Sequence, residues 1–268
     1  MSEKELNAAN YFSSEMQLKY MSVSQFKAFR KCEAAALAEI RGEYVRPETK
    51  ALQMGSYVDA YLSGEDMAKY LEVHPELRNS RTGALKAEFS QCNEIINAAR
   101  ADEMFLEYCI GSARHQVILT GFLYGIPWKV KIDALHDDKI VDFKLMKDTA
   151  PGWKNGVKMS YIDLWDYPLQ GWVYREIVRQ NTGKSLPFYL AVMTKEEPSD
   201  REIREIGDVR LNAEAGVVEY YGERFNRIKL GEIEPKRCGK CSYCRATKKT
   251  TRVKTYEELI EEMEEMNE

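Results

Sequence analysis

The segment Lys129 to Lys144, KVKIDALHDDKIVDFK, constrains this chain more than any other. Trp128, Val130 and Ile132 alternate with Lys129, Lys131 and Asp133. After a turn at His136 to Asp138, Val141, Phe143 and Leu145 alternate with Asp142 and Lys144. A period of two is the mark of strands, so the segment is expected to form a β-hairpin with Asp142 and Lys144 on one face. If the strands pair, Asp133 reaches that face from its neighbour. Two carboxylates that close repel, and one tends to take up a proton unless a cation neutralises both. A hard divalent ion with oxygen ligands does so, which points to magnesium or manganese. Such an ion polarises a phosphoryl oxygen and lowers the pKa of a bound water, while Lys144 orients that water or offsets phosphate charge. The competing reading is an amphipathic hairpin with solvated charges.

Further along the chain, a run of motifs bears on the choice. Asp133, eight intervening residues, then Asp142-Phe143-Lys144 resembles the core motif of the PD-(D/E)XK nuclease superfamily, with Ile132 in place of the name-giving proline. Ser22-Val23-Ser24 opening a helix, Gly55 followed by a helix carrying Asp59, and Gln170-Gly171-Trp172-Val173-Tyr174 stand in the order found in RecB-like and RecE-like, phage-type exonucleases. The resemblance runs from about Met21 to Lys249. It implies an α/β fold with a restriction-endonuclease-like core, a mixed central sheet flanked by helices. It also implies metal ligands at Asp59, Asp133, Asp142 and the Phe143 carbonyl, with Lys144 assisting the attacking water. Gln170 and Tyr174, four residues apart on one helix face, would line the site; a partly buried amphipathic helix would show the same spacing. Two positions depart from the pattern. Asp59 stands where relatives have histidine, which keeps an oxygen donor and favours magnesium or manganese over zinc. Gln116 stands where many relatives have glutamate, which puts a second metal site in doubt.

Three of the six cysteines form Cys238-Gly239-Lys240-Cys241-Ser242-Tyr243-Cys244. Two-residue gaps let one short turn aim successive thiolates at a single metal. Three ligands leave a tetrahedron open. The nucleases resembled here include an iron-sulfur subgroup with one early cysteine and three late ones, which makes Cys32 the implied fourth. The last gap is shorter than that subgroup's usual spacing, so zinc stands beside an iron-sulfur cluster, and free thiols in a basic loop stand beside both. Cys92 and Cys109 read as helix core residues, and a disulfide framework is not expected in a chain of this length without a signal peptide.

The formal charge of −4 argues against a nucleic-acid partner, but its distribution argues for one. Residues 232–254 form a basic cysteine-rich loop; from Lys236 to Lys254 it carries eight lysines and arginines and no acid. Residues 255–268 carry seven glutamates and no base, and without them the charge becomes +3. A basic loop beside a metal site contacts phosphates, or it compensates the thiolates. The acidic tail has Tyr256, Leu259, Ile260, Met263 and Met266 at helical spacing, an amphipathic helix expected to dock on the protein or on a neighbouring subunit.

The 268 residues suffice for a single domain with a full core. Ser22 and Gln25 have capping-box spacing for a helix through Cys32 to about Ile40, and a second long helix is expected from about Ala84 to Tyr108. Arg78, Arg81 and Lys86 surround a turn that can hold a phosphate, such as one at a DNA end, or is a plain solvated loop. Residues 150–156 read as a mobile loop whose Trp153 stacks on an unpaired base or packs on the protein. No apolar run approaches membrane length. The expectation is a cytoplasmic, metal-dependent exodeoxyribonuclease, of a bacterial cell or a phage-infected host, that resects duplex ends in recombination. A single-strand annealing protein is the implied partner, and a homo-oligomer is open. A structure-specific or CRISPR-adaptation-type nuclease, and a DNA-binding scaffold with little activity, are the alternatives; Gln116 is the best argument for the scaffold.

Overall fold

The computed structural model describes residues 5–265, with side chains described as far as residue 261. Seven helices lead in: α1 (Ser14–Lys19), α2 (Val23–Lys31), α3 (Glu33–Ile40), α4 (Lys50–Leu62), α5 (Met67–Val73), α6 (Ala87–Arg100) and α7 (Glu103–Cys109). Strands β1 (Arg114–Leu123), β2 (Ile126–Leu135) and β3 (Ile140–Met146) follow, then the short pair β4 (Gly152–Lys154) and β5 (Val157–Met159). Helices α8 (Tyr161–Leu164) and α9 (Tyr167–Thr182) lead to β6 (Phe188–Thr194) and β7 (Arg201–Ile206). The chain continues through α10 (Asp208–Asn212), α11 (Ala215–Lys229), α12 (Ser242–Ala246) and α13 (Tyr256–Glu265).

The main sheet has the order β1-β2-β3-β6-β7. Only β3 and β6 run parallel, and a parallel pair needs a crossover, which the segment containing α9 supplies. This is the α/β architecture expected, a mixed sheet flanked by helices with a restriction-endonuclease-like core. Alternation sorts the side chains into two apolar layers. Ile140, Leu190 and Val192 face Phe26, Leu169, Val173 and Phe225, while Val141, Phe143, Ala191 and Met193 face Val58, Phe89, Ile95 and Phe105. Gly171 lets α9 lie against β6, since a Cβ there would meet Phe188 Cδ1 at 2.5 Å.

Five expectations are corrected. The first helix does not run through Cys32: that residue is extended (φ −165°, ψ 108°) and α3 starts anew behind it. Ser22 does accept from the Gln25 amide, but the Gln25 side chain bonds the Gln17 carbonyl instead of closing the capping box. The long helix after residue 84 is broken at Ala101 and Asp102, where the Asp102 carboxylate caps α7 by accepting from Phe105 N. Residues 152–159 form the β4–β5 hairpin instead of a loop. Finally, Tyr256, Leu259 and Ile260 of α13 stay exposed, so that helix does not dock on the described body; the side chain of Met263, and Met266 altogether, lie outside the described residues. Among the described residues no helix is long and apolar enough to cross a membrane.

Candidate active site

The hairpin of β2 and β3 pairs only next to its turn, at Ala134↔Val141 and Leu135↔Ile140. Beyond those pairs the strands diverge, and the site lies in the opening. Strand alternation also breaks there, because Ile132 packs in one apolar layer and Ala134 in the other. Asp133, between them, accepts the Phe143 backbone N–H on Oδ2 at 2.9 Å, in place of the carbonyl that a continued ladder would provide. Asp142 and Lys144 share a face of β3 as expected. Asp142 is 1% exposed, its Oδ1 takes the Gln170 amide at 2.5 Å, and its Oδ2 forms an ion pair with the Lys144 ammonium. Lys144 Nζ also donates to the Phe143 carbonyl at 3.0 Å.

Asp59 comes to this cluster from α4. It lines a cleft with Asp133, Phe143 and Lys144. The Gln116 amide donates to both Asp59 oxygens, at 3.1 and 3.2 Å, and to Ser63 Oγ at 2.9 Å. Gln116 holds a left-handed backbone (φ 52°), and the β1–β2 ladder skips it between the His115↔Ala134 and Val117↔Ile132 pairs. A non-glycine residue in that region is strained and persists only where its surroundings over-determine it. Its Oε1 is buried without a hydrogen-bond partner among the described residues.

Charge is crowded accordingly. Burial, then the neighbouring Asp142 and Asp59, hold the Asp133 carboxyl well above the usual range, and burial with Asp142 raises Asp59 to about 6, against the pull of Lys131. Burial works against the ammonium of Lys144, but Asp142 and Asp133 outweigh it and raise its pKa. These are the properties of a site short of positive charge. The chemistry of the donors, three carboxylates and a carbonyl with two of the acids favouring protonation where no cation is at hand, suits a hard divalent cation, although the three carboxylates are not drawn together as tightly as the sulfurs of Cys32, Cys238, Cys241 and Cys244.

Three residues of this neighbourhood escaped sequence reasoning. Lys27 of α2 donates to the Trp165 carbonyl at 2.8 Å, and burial, then Lys144, lower its pKa to about 7. The Tyr167 ring is near both ammonium groups, 5.3 Å from Lys27 Nζ and 5.4 Å from Lys144 Nζ. Tyr11, before the first motif, lines a second pocket with Ser22, Ser24, Lys27, Lys129, Gln170 and Tyr174. Lys131, at the same period as Asp133, sits beside Asp59 and was readable as a cation on that face. Tyr174 itself is tied down: its hydroxyl donates to the Lys131 carbonyl at 3.0 Å and so braces α9 on β2.

The expected DNA contacts are not part of this cluster. Arg78, Arg81 and Lys86 are exposed on the turn before α6, and Arg78 Nη1 donates to the Gly83 carbonyl at 2.9 Å. Trp153 is 71% exposed on the β4–β5 hairpin, so it does not pack on the protein. That hairpin abuts the start of α9, where Lys154 Nζ lies 3.4 Å from Asp166 Oδ1.

Cys32, Cys238, Cys241 and Cys244 converge, the last three as their spacing implied and Cys32 as the resemblance implied, with all four sulfurs within 4.8 Å of one another. Backbone amides donate to them, Cys241 N to Cys238 Sγ and Cys244 N to Cys241 Sγ, both at 3.4 Å. The loop is clamped to α3 by Glu33, which takes the Arg224 guanidinium on both oxygens at 2.7 Å and the Lys236 N–H at 2.7 Å. The four cysteines form a group able to bind a metal. Cys92 and Cys109 are fully buried in the core of α6 and α7.

Residues 22–247 match the model of the PDDEXK-like domain of unknown function, DUF3799. The chain belongs to this PDDEXK-like family. A crystal structure of a Eubacterium rectale protein, provisionally described as an exonuclease, superposes with a TM-score of 0.90 at 37% identity, over 96% of this chain and 98% of that one. No curated protein sequence matches. The matched PDDEXK-like span begins at Ser22 and reaches past Cys244, so it takes in both the carboxylate cluster and the four cysteines.

Proposed function

We propose that this PDDEXK-like chain is a magnesium- or manganese-dependent exodeoxyribonuclease acting on duplex ends. The observation that carries the reading is the splayed hairpin, which sets Asp133, Asp142 and Lys144 around one opening with Gln170 behind and Asp59 opposite. The family and the likeness to a provisionally described exonuclease support it. A DNA-end resection role beside a single-strand annealing partner, in bacterial or phage recombination, follows from the resemblance to RecE-like enzymes.

Asp59, Asp133, Asp142 and the Phe143 carbonyl would hold the cation. Bound there, it supplies Lewis acidity to a phosphoryl oxygen and to the attacking water. The remaining work belongs to the chain. Gln170 fixes the rotamer of Asp142, and the Phe143 N–H fixes that of Asp133, so both carboxylates are pre-set. Lys144, held protonated by its acidic neighbours, donates hydrogen bonds and meets the charge that grows on the phosphate as the P–O bond breaks. It is not a base at neutral pH. Lys131 adds positive charge on one side of the opening, and Lys27, its pKa lowered to about 7 by burial and Lys144, would take up its proton more fully as a phosphate backbone passes. Trp153 stands where an unpaired base of a frayed end can stack on it, and Arg78, Arg81 and Lys86 offer a phosphate contact further off.

The test is nucleotide release from linear and closed-circular duplex DNA with magnesium or manganese, wild type against Lys144→Ala. End-dependent release that the substitution abolishes, with DNA binding retained, is the expected result. Inactivity of the wild type on both DNAs, with binding intact, overturns it. That outcome favours the second reading, a DNA-binding scaffold, for which the observation is that Gln116 places a neutral amide on both oxygens of Asp59.

A further inference from the structure

We infer that the four cysteines bind a single tetrahedral zinc ion instead of the iron-sulfur cluster implied by the resemblance. Sulfur spacing decides between them. With Zn–S bonds of about 2.3 Å, tetrahedral geometry puts the four sulfurs about 3.8 Å apart. In a cubane cluster each thiolate sits on a different iron at an outer corner, which pushes the sulfurs to about 6 Å, and a two-iron cluster separates two pairs by a similar distance. Here Cys32 Sγ lies 3.6 Å from Cys244 Sγ, Cys238 Sγ lies 4.0 Å from it, and no pair exceeds 4.8 Å. As the four side chains stand, a cluster does not fit between their sulfurs.

The backbone agrees with a small ion. Cys238-x-x-Cys241 and Cys241-x-x-Cys244 each fold back so that the second cysteine's N–H points at the first cysteine's sulfur. Four thiolates on a dication leave two negative charges, which these N–H groups and the basic loop moderate. Cys32 enters from the break between α2 and α3, extended so that its side chain turns out of both helices toward the loop. The fixed position of Glu33, bonded to Arg224 and Lys236, holds both halves of the site in register. The ion would join the start of α3 to the loop and take no part in cleavage, so this inference stands or falls apart from the nuclease reading.

Metal content decides it. The full chain is purified without oxygen from cells supplied with excess iron and zinc, then assayed for zinc, iron and acid-labile sulfide. About one zinc per chain is expected, with neither iron nor sulfide and no absorbance near about 400 nm. After zinc removal, one cobalt(II) ion should restore the site and give the visible bands of tetrahedral thiolate coordination. Cys241→Ser should abolish those bands and Cys92→Ala should keep them. About four irons with matching sulfide and a broad absorbance near about 400 nm would overturn the inference. So would a metal-free protein that binds no cobalt.

Discussion

Gln170 donates its amide to Asp142 Oδ1 at 2.5 Å, from a helix face to the middle of a strand, and thereby leaves Asp142 Oδ2 as the oxygen that meets Lys144. A buried carboxylate held this way loses little entropy on taking a ligand. Gln170→Ala should lower cleavage by roughly 10- to 100-fold and raise the metal concentration needed for half-maximal rate, the usual cost of removing a partner that orients a ligand. Gln170→Glu should be worse, since it adds a third carboxylate beside Asp142. Metal titration of the cleavage rate checks both.

The raised acids give a pH signature. Asp59 stands at about 6, above the ordinary carboxylate value of 3.8, because of burial first and Asp142 second. A raised native pKa means that the folded state binds the proton more tightly. The stability it contributes is full below about pH 4 and is lost as pH rises through about 6. Without divalent cation, Tm should fall over that window. Magnesium should restore it at about pH 7.5 and have little effect at about pH 4.5, where the acids hold protons. Thermal melts at the two pH values, with and without magnesium, give the answer; equal shifts at both would count against a metal held by these residues.

Gln116→Glu separates the amide's two roles. It would replace an amide donor with a carboxylate against Asp59, so the metal-free protein should lose about 1–3 kcal/mol of stability through lost hydrogen bonds and repulsion. Excess manganese should recover the loss, and cleavage should rise if a second cation then binds. Denaturant melts with and without manganese measure it.

Breaking the clamp on the cysteine loop should loosen one region more than the rest. Glu33→Gln leaves the half-exposed Arg224 with a weaker, neutral acceptor, and a loss of about 1–2 kcal/mol is expected. Limited proteolysis should then cut first in the basic loop, whereas uniform cleavage would show the clamp to be unimportant for the loop.

Trp153→Ala should leave Tm unchanged, since the ring is 71% exposed. Affinity for duplexes with frayed ends should fall by about 1–3 kcal/mol, the worth of one base stacked on an aromatic ring. Tryptophan fluorescence during DNA titration follows it, and unaltered affinity would remove Trp153 from the substrate path.

Much of this site was legible because strand alternation is a local code. The period of two placed Asp142 and Lys144 on one face without any tertiary information, and the four-residue spacing placed Gln170 and Tyr174 together on α9. What they do there was not legible. Tyr174 braces β2 through the Lys131 carbonyl, a contact set by how α9 crosses the sheet. The helix breaks at Cys32 and Asp102 lie in good helix-forming sequence and arise because packing and capping override propensity. Strand β7, Arg201-Glu202-Ile203-Arg204-Glu205-Ile206, escaped notice because an edge strand rich in charge shows little of the alternation that marks a buried one. Tyr11 and Lys27 reach the site only through the fold, from segments far away in sequence.

The anchoring of the first helices to the end of the described chain also sets an order of assembly. Lys229 Nζ bonds the Tyr20 carbonyl across 209 residues, Arg224 reaches Glu33 across 191, and Cys244 meets Cys32 across 212. Contacts of such separation form only after long loops have closed. As the polypeptide leaves the ribosome, α2 can meet Trp128 of β2 early through Phe26, but it and α3 wait through the synthesis of the whole sheet before these last partners exist. The hairpin with its carboxylates can form early, but the pocket wall that Ser22, Ser24 and Lys27 provide is complete only after α11 and the cysteine loop have been made.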